Sequence, residues 1–114
     1  MDEIQISIEG VLGAEMTREL ARRVNAIGGL EGSLSHKPGE LGSKSAVGQA
    51  AFALIKIVGD NAIGPLIDLL SHFLTRDKRA RIKVKFPNGV ELEIESANMN
   101  ADLKQVRNML VQLL

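Results

Sequence analysis

Cysteine, tryptophan and tyrosine are all missing from this chain, and only three phenylalanines occur in its 114 residues. Without cysteine there is no disulfide, no thiol nucleophile and no thiolate-bound zinc. With so few aromatics the core must be aliphatic, and the stacking platforms of a nucleic-acid reader are missing. Net charge is also lacking: 14 basic residues balance 14 acidic ones, so no global field draws the chain to nucleic acid or acidic lipid. The opening MDEIQISIEG has neither the basic nor the apolar region of a signal peptide, so the expectation is a cytoplasmic protein. No apolar run is long enough to span a membrane, which takes about 20 residues. The densest stretch, Ser43 to Leu74, is interrupted by Lys56, Asp60, Asn61, Pro65 and Asp68. There is no repeat, linker or low-complexity segment, and residues 1–114 read as one domain able to bury a core without metal or disulfide.

What is present is clear hydrophobic periodicity. Ile4, Ile6 and Ile8 alternate with Gln5, Ser7 and Glu9, the pattern of a strand with one buried face. From about Gly13 the period becomes helical. Thr17, Leu20, Ala21, Val24 and Ile27 share one face, and Glu15, Arg18, Glu19, Arg22 and Arg23 lie opposite. Glu19 and Arg23 form a favourable i,i+4 pair, the arginines read as a solvated face, and Gly28-Gly29 stops the helix. Leu30, Leu34 and His36 line one side of a candidate second strand, parallel to the first across a crossover. Gly32 weakens that strand and favours an edge position. Pro38-Gly39-Glu40-Leu41-Gly42 follows as a turn.

Ala46 to Val58 is apolar apart from Gly48, Gln49 and Lys56, and is expected to be a buried helix closed by Gly59. Lys56 then either snorkels to water or meets a carboxylate from elsewhere. Asp60 or Asn61 caps a second helix, with Pro65 in its first turn and Ile63, Leu66, Ile67, Leu70, Phe73 and Leu74 on its apolar face. A single bent helix over both segments is the alternative.

Ile82, Val84 and Phe86 alternate with Arg81, Lys83 and Lys85, and Val90, Leu92 and Ile94 alternate with Glu91, Glu93 and Glu95. A three-residue loop, Pro87-Asn88-Gly89, pairs Phe86 with Val90 and sets the basic residues opposite the glutamates. Gly89 then takes the left-handed position. Asn100 to Leu114 reads as a terminal helix with a stripe of Leu103, Val106, Leu110 and Leu113. Asn98 or Asn100 caps it, and Asp102 favours its positive end. The expected fold is α+β, order β-α-(β)-α-α-β-β-α: a three- or four-stranded sheet with helices packed on one face.

Candidate chemistry is sparse. Gly39 to Ser45, GELGSKS, sits before an apolar stretch, but Ser43 separates Gly42 from Lys44 and the earlier glycine of a phosphate loop is missing. A helix-capping turn explains it better than nucleotide binding. His36 and His72, the only histidines, are too few for zinc unless carboxylates join them. No G-x-S-x-G elbow occurs. The basic series Arg76, Lys78, Arg79, Arg81, Lys83 and Lys85 is accounted for by a helix C-terminus and by the facing glutamates. No catalytic, cofactor or metal site is expected.

The order of segments resembles the effector-associated constant component family, small domains of prokaryotic conflict systems. The features that carry it are the alternating N-terminal strand, the charged helix and the Pro38-Gly39-Glu40-Leu41-Gly42 turn, then the small-residue-rich apolar segment with a glycine break. A basic helix end, a hairpin tipped by Asn88-Gly89 and a terminal helix complete it. The glycine-bearing second strand departs from the pattern. The resemblance implies a non-enzymatic adaptor in antiviral defence, coupling an effector of protease or TIR type, encoded nearby, to its regulator. Partner-binding candidates are Pro38, Gly39, Glu40, Leu41 and Gly42, with Phe52 and Lys56 on the apolar segment that follows. The competing readings are a structural homo-oligomer joined through the apolar segment and a nucleotide-binding regulator using Gly39 to Ser45.

Overall fold

A computed structural model describes residues 3–36 and 51–113. Five strands and three helices follow in the order β1 (Glu3–Glu9), α1 (Gly13–Arg23), β2 (Leu30–His36), β3 (Ala51–Ile57), α2 (Ile63–Arg76), β4 (Arg81–Lys85), β5 (Glu91–Glu95) and α3 (Met99–Leu113). The strands form one antiparallel sheet in the order β2-β3-β1-β4-β5. The fold is α+β as the sequence implied, but the sheet has five strands where three or four were expected.

The extra strand comes from the segment expected to be a buried helix. Ala51–Ile57 is β3, paired with β1 through Ile4↔Ile55 and Ile6↔Ala53, and with β2 through Leu30↔Ile57 and Leu34↔Ala53. Residues 46–50 of the expected helix lie outside the described residues, as does the Pro38–Gly42 turn. The single bent helix over both segments is excluded by the same strand. Ala53, Ile55 and Ile57 are buried on the helix side, and Lys56 is exposed on the other. Phe52 and Leu54 share the face of Lys56, so apolar residues stand on both sides and the alternation is hidden. Apolar runs of this length do not distinguish a strand from a buried helix by period alone.

β2 does take an edge position and does run parallel to β1, since both are antiparallel to β3. β3 lies between them. Gly32, which weakened the strand in sequence, is present for packing: a Cβ there would overlap Val24 Cγ2 and stand 2.9 Å from the Ala21 carbonyl oxygen.

All three helices cover one face. α1 lies over β1, β2 and β3, α2 contacts β4 and α3, and α3 contacts β5. The single core joins the isoleucines of β1 to Met16, Leu20 and Val24 of the first helical segment. It continues through Leu66, Leu70, Phe73 and Leu74 of α2, Ile82, Val84 and Phe86 of β4 and its end, and Leu103, Val106 and Leu110 of α3. Among the described residues, Thr17 is the buried polar side chain in it. Its hydroxyl accepts the Ile8 N–H at 3.0 Å and donates to the Gly13 carbonyl at 2.8 Å, so burial leaves no group unpaired.

The start of α2 differs from expectation in one detail. Neither Asp60 nor Asn61 caps it by a side-chain bond; a 3-10 turn over Asp60–Ala62 leads in, with the Ala62 N–H bonded to the Gly59 carbonyl at 3.1 Å. Asp102, expected to favour the start of α3, reaches back and accepts the Glu95 N–H at 3.3 Å. The hairpin follows the expected register. Arg81↔Glu95, Lys83↔Glu93 and Lys85↔Glu91 face each other, the Phe86 N–H bonds the Val90 carbonyl at 2.9 Å, and Gly89 has φ of +92°.

Candidate functional site

The helices leave the opposite face of the sheet open; no described element packs there. Its composition follows from strand parity, because alternate residues point to opposite faces. On β3 these are Phe52, Leu54 and Lys56; on β2, Glu31, Ser33 and Ser35; on β1, Glu3, Gln5, Ser7 and Glu9. Arg81, Lys83 and Lys85 continue it on β4, and Glu91, Glu93 and Glu95 on β5.

Register divides this face into two chemically different halves. Over β1, β4 and β5 the charges neutralise one another. Lys83 Nζ lies 3.2 Å from Glu9, and Arg81 lies 3.6 Å from Glu95 and 3.8 Å from Glu93. Exposed pairs of this kind add little stability, but they leave few free charges for a ligand. Over β2 and β3 the surface is different. Leu54 has Ser33 on one side and Gln5 on the other, and Phe52 has Ser35 beside it. Phe52 and Leu54 are half-buried, and the residues paired with them here, Ser35, Ser33 and Gln5, carry no charge. Lys56 closes the patch between Glu3 and Glu31. Of the two readings of this lysine, it reaches water and stands between carboxylate-bearing neighbours at once.

Of the sequence-derived candidates, Phe52 and Lys56 are therefore brought together on one face of one strand. Pro38, Gly39, Glu40, Leu41 and Gly42 lie outside the described residues, and so does the Gly39 to Ser45 turn considered for nucleotide. Leu54, Ser33, Ser35 and Gln5 were not identified from sequence. Reading AFALIKI with period two would have found Leu54; the others depend on strand pairing.

Elsewhere, a cleft of about 600 Å³ lies where β3 leads into α2. Its lining combines Ile57, Val58, Asp60, Asn61 and Ile63 with Arg107 and Val111 of α3. Val58 and Val111 are 61% and 58% exposed, so the cleft is an open surface feature. Among the described residues no three His, Asp or Glu side chains are placed to hold a metal ion, and no helix is long and apolar enough to cross a membrane. The carboxyl of Glu19 is held below the usual glutamate range by its hydrogen bond from Arg76, but it lies on the helix layer, away from the open face. What the open face offers is apolar contact beside hydroxyl and amide hydrogen-bonding groups.

No protein-family model, curated protein or solved structure matches this chain.

Proposed function

We propose that the chain is a non-enzymatic adaptor of a prokaryotic conflict system, acting in the cytoplasm. It docks an effector of protease or TIR type and couples it to a regulator. The observation that carries this reading is the pair Phe52 and Leu54, held among uncharged neighbours on the face of an interior strand that no described element covers. Large apolar side chains in a rigid, charge-poor patch rimmed by charges have the make-up of an interface centre. The resemblance of the chain to effector-associated components supplies the kind of partner.

The test is calorimetric titration of the parent, Phe52→Asp and Leu54→Asp chains with the product of the adjacent effector gene. Because both side chains face away from the core, each variant is expected to keep the parent's circular dichroism and to lose affinity by ~10-fold or more. Folded variants that bind like the parent would move the docking surface elsewhere. A parent chain that binds no effector but turns over a substrate or binds ATP would end the adaptor reading.

A further inference from the structure

The two edges of the sheet are protected differently. On β5 the open-face residues are Glu91, Glu93 and Glu95, so an added copy of that strand would bring glutamate beside glutamate. β2 has no such charge series. Its sequence LEGSLSH contains no lysine or proline and one carboxylate, Glu31. An edge strand with so little charge invites pairing unless something occupies its free backbone groups.

Asn25, in the 3-10 turn Val24–Ala26 after α1, occupies those of Gly32. Its Nδ2 donates to the Gly32 carbonyl at 2.9 Å, and its Oδ1 accepts the Gly32 N–H at 2.9 Å. Nδ2 also donates to the Ala21 carbonyl at 3.1 Å, which fixes the amide to the end of α1. The carboxamide thus gives Gly32 one donor and one acceptor, as the peptide of a neighbouring strand would. The outward backbone groups of β2 recur every second residue, at Leu30, Gly32, Leu34 and His36. The Leu30 N–H is taken by the Ile27 carbonyl at 3.2 Å. Leu34 is the first outward residue that neither device reaches.

We infer that the Asn25 carboxamide closes the β2 edge, and that the surface it closes is a strand-addition site whose occupant is β2 of a second copy of this chain. The register is self-complementary. Antiparallel pairing about Leu34 sets Leu34 against Leu34, Gly32 against His36 and Ser33 against Ser35 of the second copy, with no opposed like charges. With Asn25 in place only the central Leu34 pair can exchange hydrogen bonds. Without it, the two flanking Gly32–His36 pairs can form as well.

The experiment is sedimentation velocity over a concentration series for the parent, Asn25→Ala, and Asn25→Ala combined with Leu34→Pro. Asn25 is exposed, so its replacement leaves the core intact. Asn25→Ala is expected to self-associate ~10-fold or more tightly than the parent. Leu34→Pro removes the outward N–H at an edge position where proline is tolerated, and should restore the parent's behaviour. A folded Asn25→Ala chain that sediments like the parent overturns the inference, and so does association that Leu34→Pro leaves unchanged. Amide exchange on the parent decides the matter even if Asn25→Ala does not fold. The Gly32 N–H should exchange more slowly than that of Leu34, and equal rates would show that no clamp exists.

Discussion

Gly32 lies so close to Val24 that the pair leaves no room for a side chain on β2 at that point. A Cβ on Gly32 would overlap Val24 Cγ2, and Val24 is fully buried, so it has no free direction in which to yield. The Ala21 carbonyl 2.9 Å away closes the other side. Gly32→Ala is expected to destabilise the fold by about 1–3 kcal/mol through overpacking. Val24→Ala should relieve part of that loss, giving a coupled rather than additive double-mutant cycle in urea denaturation. Strict additivity would mean that the two residues do not meet in solution.

Gly89 tests a different physical effect. Nothing lies within 4 Å of a Cβ built on it, so space is free, but its φ is +92°. Gly89→Ala should cost ~1 kcal/mol from backbone strain alone. Gly89→Asn should cost less, because asparagine tolerates positive φ better. Equal midpoints for parent and Gly89→Ala in chemical denaturation would contradict the left-handed conformation at the hairpin tip.

Glu19 links α1 to α2. Its carboxylate accepts from Arg76 at 3.2 Å and lies 3.1 Å from Arg23 Nε. The hydrogen bond from Arg76 is the main cause of its lowered pKa, with the charges of Arg76, Arg23 and Arg22 adding to it and partial burial opposing. A carboxyl whose folded pKa lies below its unfolded value stabilises the fold above the unfolded value and loses that contribution as pH falls through the folded one. The parent's stability should therefore drop more steeply than that of Glu19→Gln as pH falls below about 5. Thermal melts of both chains between neutral and acid pH would show it, and parallel curves would remove Glu19 from the account.

Much of this architecture was legible in the sequence because it depends on local period and turn chemistry. Ile4, Ile6 and Ile8 declare a one-sided strand, and the stripes on α1, α2 and α3 follow helical spacing. In the hairpin, proline, asparagine and glycine leave one loop length that keeps both apolar faces together. The candidate docking face was legible only in fragments. Phe52 and Lys56 stand out in the sequence as partner-binding candidates on an apolar segment, but as parts of a helix, and Asn25 carries no signal at all.

What the sequence determined by itself is where the chain turns and which side of each amphipathic segment is buried, since both follow from residues within a few positions of one another. The tertiary structure decided what Ala51–Ile57 would become. An apolar run reports that its surroundings are dry and does not report whether its backbone bonds to itself or to neighbours. Those neighbours are β1, more than forty residues earlier, and β2, across residues 37–50. Insertion of β3 between them makes the sheet five-stranded and turns Phe52 and Leu54 outward. The same insertion leaves β2 at the edge, where Asn25 meets Gly32. Pairing between distant segments is a property of the assembled sheet, and no local pattern encodes it.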